Sequence, residues 1–338
     1  MPLGVGLLGA GRVGRVHAEA LRKLNSVPLV AVHDVDESAR DALCRETGAR
    51  PASFADVLAA DDIDCVIIAT PTATHAEMIE TAVHAGKAVL CEKPIDLDLD
   101  RVRACYRSIE NKVFVQIGFN RRFDPNIVRL EKAVRQGDVG RIEALHIITR
   151  VPKPPPYKYV MESGGLFRDM TIHDIDSMRF LMGGDPVAVS AVGACLIDPD
   201  LAKYGDIDSA MLTFVFADGA MAHIANSRRS AYGLDHRMEV FGSAGLLALR
   251  NGAPPDIAHY GESGTGTRAK FHWSPIYGYM ESYERQLEAF FDAIDRKLPP
   301  PVTFQDAWMA LAIADTAYEA RAQHAEMKIV HPLSSVTA

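Results

Sequence analysis

The chain has no apolar stretch long enough to cross a bilayer, which takes about 20 consecutive apolar residues. It has no surplus of positive charge. Asp and Glu outnumber Lys and Arg by 44 to 36, for a formal net charge of -8. A nucleic-acid partner would call for a basic footprint, so that class is excluded, and an acidic balance suits a soluble protein. Cysteine is sparse. Cys44, Cys65, Cys91, Cys105 and Cys195 are odd in number, scattered and without a CxxC pair, which argues against a disulfide framework and a structural metal. Cys65 and Cys91 lie in strand-like apolar runs, where a buried, inert thiol is expected. The opening MPLGVGLLGAG has no basic leader and runs straight into a fold motif, unlike a signal peptide. These features place the chain in a reducing cytoplasm. Internal repeats and low-complexity tails are also lacking.

What is present suits two domains of ordinary size, since 338 residues exceed one small core. Over the first 120 residues, short apolar runs at Val5–Leu8, Leu29–His33, Cys65–Ala69, Ala88–Cys91 and Val113–Ile117 alternate with amphipathic stretches. Strands alternating with helices predict a parallel sheet covered on both faces. After residue 120 the pattern changes. A helix is predicted over Pro125–Gln136, a strand over Ile142–Val151, a proline loop at Pro152–Pro156 and a helix over about 164–182. Strand-like runs follow at Val187–Val192, Ala210–Phe216, Met221–Asn226, Arg237–Phe241 and Gly245–Leu249, with a hairpin signal at Asp218-Gly219. Helices over about 280–296 and 303–324 close the chain. The expected architecture is α/β: residues 1–120 as a nucleotide-binding domain with a parallel sheet, and 121–338 as an α/β domain with a mainly antiparallel sheet.

Gly9-Ala10-Gly11-Arg12-Val13-Gly14 matches GxGxxG between a strand and a helix. The glycines permit a tight turn, a close approach to a pyrophosphate and close packing of helix on strand. The phosphate would meet free N–H groups at the positive end of the helix. Asp34 ends the second strand, where a carboxylate can accept hydrogen bonds from an adenosine ribose. It would repel a 2′-phosphate, and Val35-Asp36-Glu37 offers no cation to offset it, so NAD is expected over NADP.

Lys93, in Glu92-Lys93-Pro94, follows the fourth strand run, at the strand end where such sheets bind ligands. Asp169, His173 and Asp176 fall at i, i+4 and i+7 of a largely apolar segment, which puts them on one stripe of an α-helix. Alcohol oxidation needs this kind of set. A histidine can remove the hydroxyl proton near neutral pH, a carboxylate can orient it, and an ammonium can stabilise the developing alkoxide.

GLLGAGRVG, ATPTATHAEM (69–78), CEKP (91–94), GFNRRFDPN (118–126) and SGGLFRDMTIHDID (163–176) together resemble the Gfo/Idh/MocA oxidoreductases, and within them the inositol 2-dehydrogenases. The resemblance covers nearly the whole length. It implies a Rossmann domain, then an α/β domain whose sheet builds a homotetramer, and a small polyol or sugar as substrate. It also implies His173 as base, Asp169 as its partner and Lys93 at the reacting oxygen. Thr70, His75 and Glu92 would lie on the cofactor side. Asn120, Arg121, Asp176 and Tyr283 would lie toward substrate. Two positions depart from the family pattern. Many relatives read SRDP where this chain has Thr149-Arg150-Val151-Pro152, and YGYD where it has Tyr232-Gly233-Leu234-Asp235. Losing two hydrogen-bonding groups leaves another inositol isomer, or a pyranose sugar, open as substrate. A non-catalytic NAD(H) sensor is the remaining alternative, and the intact Lys93, Asp169 and His173 set weighs against it.

Overall fold

The computed structural model describes residues 3–24, 27–109, 114–251, 259–261, 264–267 and 278–332. The strand run expected from Val113 begins in part outside them. The chain opens with β1 (Val5–Leu8), α1 (Arg12–Leu24), β2 (Leu29–His33), α2 (Glu37–Thr47), β3 (Arg50–Pro51), α3 (Phe54–Ala59), β4 (Cys65–Ile68), α4 (His75–His84), β5 (Ala88–Glu92), α5 (Leu99–Ile109) and β6 (Val115–Gly118). These strands form one parallel sheet in the order β3-β2-β1-β4-β5-β6. Every residue of β1 and β4 is buried, because helices cover both faces and leave no polar side to alternate with. The short β3 and α3 were not expected from the sequence. Arg50-Pro51 has no apolar run, and α3 rests on its cap, where the Ser53 hydroxyl accepts from the Asp56 N–H at 3.1 Å.

The second unit follows with α6 (Pro125–Gln136), β7 (Ile142–Arg150), α7 (Tyr157–Ser163), α8 (Ile172–Met182), β8 (Ala188–Ala194), β9 (Ser209–Val215), β10 (Met221–Ser227), β11 (Asp235–Gly242), β12 (Gly245–Leu249) and the short β13 (His259–Gly261) and β14 (Gly264–Thr267). The chain ends with α9 (Met280–Asp295), α10 (Phe304–Gln323) and β15 (Met327–Lys328). Seven strands form a mixed sheet in the order β12-β11-β7-β10-β9-β8-β15. Only β7 and β10 pair in parallel. Asp218-Gly219 turns β9 into β10 as expected, with Gly219 at φ 88. Burial alternates along β9 and β10. One face of the sheet packs on α8, and the other leaves Met211, Met221, Val192 and Phe241 exposed.

The two compact units are Met1–Pro125 with Met280–Ala312 and Pro332–Ala338, and Asn126–Tyr279 with Ile313–His331. Residues 280–312 therefore return to the first unit. Leu287, Phe290 and Phe291 of α9 complete the core around Val5, Leu7 and Leu90. Local periodicity finds that helix but cannot say which sheet it covers. Among the described residues no helix is long and apolar enough to cross a membrane. All five cysteines are free thiols. Burial pushes the Cys65 and Cys105 thiols up to about 12 and that of Cys91 well above its ordinary value, so the inert reading holds for Cys65 and Cys91.

Candidate active site

In the first unit the three motif glycines answer different demands. Gly9 sits at φ 106, and a Cβ there would lie 2.5 Å from the Ala69 carbonyl oxygen. A Cβ on Gly14 would lie 1.9 Å from the Gly9 carbonyl oxygen, so α1 reaches the turn only without one. A Cβ on Gly11 would meet nothing within 4 Å, and Gly11 and Arg12 are exposed while Val13 is half-buried. This open backbone, leading into the positive N-terminal end of α1, fits a pyrophosphate. Asp34 closes the turn. Its Oδ2 accepts from the Ala10 N–H at 2.6 Å and its Oδ1 from the Asp36 N–H at 2.8 Å. The cap of α2 is a different residue, Asp36, whose carboxylate accepts from the Ser38 and Ala39 N–H groups.

Other expected cofactor residues stand at the ends of β4 and β5. The Thr70 hydroxyl is 2.7 Å from that of Thr74. His75 is 2% exposed, with Nδ1 2.8 Å from the Pro94 carbonyl oxygen and Nε2 2.8 Å from that of Thr70. Burial holds its pKa below the usual histidine value despite those carbonyls. Both nitrogens face main chain, so His75 lies between the Thr70 and Pro94 carbonyls and joins the two loops. Glu92 is buried and its Oε1 lies 2.8 Å from Nε2 of His17. Lys93 follows, half-buried, at the strand end. Asn120 and Arg121, both buried, form a 3-10 turn after β6. Tyr283, on α9, packs edge-on against His17 with ring centroids 5.3 Å apart.

In the second unit the helix expected over about 164–182 runs from residue 165, but its winding changes along the way. Gly164 ends α7 at φ 77, Gly165 follows at φ 81, and Phe167–Thr171 winds as a π turn before α8 begins. A π turn carries an extra residue and often marks a functional position. Asp169 sits in it, so the ideal α-helical stripe applies from His173 to Asp176 but not from Asp169 to His173. The turn is framed by buried charge. Asp206 takes the Leu166 N–H on Oδ1 at 2.7 Å and the Arg228 guanidinium on Oδ2. Tyr318 accepts from the Phe167 N–H and donates to the Gly164 carbonyl. A Cβ on Gly165 would lie 2.4 Å from the Tyr318 hydroxyl. Asp169 accepts a hydrogen bond from the Tyr159 hydroxyl at 2.8 Å and has Arg228 Nη2 at 3.8 Å.

His173 is half-buried in the first turn of α8, and Asp176 is fully buried. Between them Asp174, also fully buried, accepts from the Thr149 hydroxyl on β7 and from Nδ2 of Asn226 on β10, each at 2.7 Å. Asn226 Oδ1 in turn accepts from the Thr171 hydroxyl at 2.6 Å. Residues without an expected role build much of this region, Tyr159, Asp174, Asp206, Asn226, Arg228 and Tyr318 among them. A carboxylate inside an otherwise apolar helix stretch, at Asp174, was the one signal available for them.

Comparison with known proteins fits this frame. Residues 3–119 match the model of an oxidoreductase family with an NAD-binding Rossmann fold, and residues 127–248 match the GFO/IDH/MocA C-terminal domain. The chain belongs to the GFO/IDH/MocA family. It is 43% identical over 333 residues to inositol 2-dehydrogenase of Rhizobium meliloti, covering 97% of this chain and all of that protein. Myo-inositol dehydrogenase from Corynebacterium glutamicum superposes with a TM-score of 0.94 at 36% identity, over 98% of this chain and 99% of that one. Scyllo-inositol dehydrogenase from Lactobacillus casei, solved with NAD(H) and scyllo-inositol, gives 0.90 at 28%, over 97% and 99%. As a member of this family the chain is an NAD-dependent dehydrogenase, and the resemblance read from its motifs holds across both domains.

Proposed function

We propose that the chain oxidises one ring hydroxyl of an inositol to the corresponding inosose, with His173, Asp169 and Lys93 as the reacting groups. The observation that carries the reading is the full-length similarity to inositol 2-dehydrogenase, joined to a helix α8 that Asp174 pins to two strands beside His173. NAD, when bound, accepts the hydride from the carbinol carbon. The remaining work falls to the chain. A ring nitrogen of His173 takes the hydroxyl proton as the C–H bond breaks and the C=O bond forms. The carboxylate of Asp169 stabilises the imidazolium that results. The Lys93 ammonium donates to the reacting oxygen and stabilises the negative charge it gains. Asn120, Arg121, Asp176 and Tyr283 are assigned to the substrate side, and Gly9–Gly14, Asp34, Thr70, His75 and Glu92 to the cofactor side.

A second reading, an inositol isomer other than myo or a pyranose sugar, is favoured by Val151 and Leu234. Both replace polar groups of the family pattern with apolar ones. The exposed Met211, Met221, Val192 and Phe241 suit burial against further copies of the chain, as the family's homotetramer requires. NADH formation across myo-inositol, scyllo-inositol, D-chiro-inositol and glucose tests the assignment. Turnover confined to cyclic polyols is expected. Tight NADH binding with no turnover on any of them would favour a sensor instead.

A further inference from the structure

Two buried histidines flank the Glu92-Lys93-Pro94 turn. His17, with no exposed surface, approaches Glu92 from α1 at 2.8 Å. The ring of Tyr283 closes on it at an interplanar angle of 89°. Gly118 opposite makes room for Glu92, because a Cβ there would come within 3.1 Å of the Glu92 Cα and 3.0 Å of its Oε2. His75 approaches from the start of α4, with its two ring nitrogens each 2.8 Å from the carbonyl oxygens of Pro94 and Thr70. The residue before Lys93 is thus fixed through its side chain and the residue after it through its main chain, each to a different helix.

Packing alone does not call for an imidazole at position 17. His17 sits among Val16, Ala18, Ala20 and Leu21 on the buried face of α1, and its Nδ1 has no hydrogen-bond partner among the described residues. A leucine would fill such a position without leaving a buried nitrogen unsatisfied. What a leucine could not do is hold the Glu92 carboxylate. A lysine carries its charge on a flexible four-carbon stem, so where the ammonium spends its time depends on where the stem is rooted. A misplacement of about 1 Å in a reacting group can cost about 100-fold in rate.

We propose that His17 and His75 are positioning residues for Lys93: by tying Glu92 and Pro94 they fix the root of the lysine stem so that its ammonium meets the reacting oxygen. The inference rests on the reading of Lys93 as the cation at that oxygen.

The test compares kcat on the best polyol, NADH affinity by fluorescence and the acylation rate of Lys93 by mass spectrometry, in full-length protein. Lys93→Met comes first. A loss of about 100-fold or more in kcat supports the reading on which the inference rests. Activity within a few-fold of wild type would remove that reading, whatever the histidines do. With Lys93 in place, His17→Leu and His75→Leu are expected to lower kcat by about tenfold each, with NADH affinity held within about threefold in His17→Leu. The acylation rate of Lys93 should change while those of Lys132 and Lys158 stay put. His17→Gln and His75→Gln, which keep an N–H donor of similar reach, should recover most of the loss, and they serve as the working variants where the leucine proteins do not fold. Unchanged kcat and Lys93 acylation in the leucine variants, glutamine variants that recover none of the loss, or loss of NADH affinity in step with kcat in His17→Leu, would overturn the positioning role while leaving the Lys93→Met result standing.

Discussion

The carboxylate of Asp34 holds the main-chain N–H of Ala10 at 2.6 Å, inside the glycine turn. One residue therefore both shapes the pyrophosphate turn and stands where the ribose is expected. Hydrogen bonds to a charged acceptor are worth roughly 1.5–3 kcal/mol. Asp34→Ser should weaken NADH binding by about tenfold or more and relax the preference against NADPH. Titration of both cofactors against wild type and variant checks this. A wild type that already binds NADP as well as NAD would contradict the role given to Asp34.

Asp174 is predicted to be structural for α8. It is fully buried and serves Thr149 and Asn226 together. Asp174→Ala strands both donors and should cost about 3 kcal/mol of stability, read as a lower denaturant midpoint. Asp174→Asn, which can still accept one hydrogen bond, should recover part of it. A change under about 0.5 kcal/mol would mean the network carries no weight.

These two cases separate what local sequence carries from what it does not. The parallel sheet and the glycine turn were legible because doubly buried strands are unbroken apolar runs and because GxGxxG has a geometric reason at each glycine. His173 was legible as a polar residue in an apolar helix. The Tyr159–Asp169 hydrogen bond was not, because it depends on a π turn, and the α-helical spacing of 169 and 173 argued for a regular helix. The return of α9 to the first unit, and the parallel pairing of β7 with β10, are long-range choices that local periodicity does not carry.

Tyr159 donates to Asp169 at 2.8 Å from a partly exposed position. Tyr159→Phe should lower kcat by about three- to tenfold with NADH affinity unchanged, since the loss of one partly screened hydrogen bond is worth about 1 kcal/mol. Steady-state kinetics with NADH titration would show it. An unchanged kcat would place the hydroxyl outside the catalytic set.

Stability should fall with acid through His75. Burial lowers its pKa below the ordinary 6.5, so under that pH the unfolded chain binds a proton that the folded chain resists. The unfolded state then holds more protons, and stability drops as pH decreases from 6.5 until the folded ring also titrates. Denaturant unfolding of wild type and His75→Gln across that window should give a shallower pH slope for the variant. Equal slopes would show that His75 does not contribute to the acid loss.

The two apolar departures at 151 and 234 follow the same paired strand ends. β7 and β11 pair antiparallel with Asp235 opposite Arg150, so Val151 and Leu234 each stand one residue beyond that pair. Arg150 there donates to the Tyr232 hydroxyl at 3.0 Å and to Asp235 at 2.7 Å, while the Val151 N–H is taken by the Ser227 carbonyl. The main chain at this corner is thus anchored, and the two side chains can change without loosening it. A site built to hydrogen-bond a hydroxyl discriminates far more strongly than an apolar one. If the pair tunes substrate choice, Val151→Asp with Leu234→Tyr should raise kcat/KM for myo-inositol relative to scyllo-inositol and glucose by about tenfold or more. The double variant should exceed the product of the singles, because residues that grip one substrate couple. A wild type that already prefers myo-inositol by a wide margin, or a double variant with an unchanged ranking of substrates, would mean that these two positions do not choose the ring.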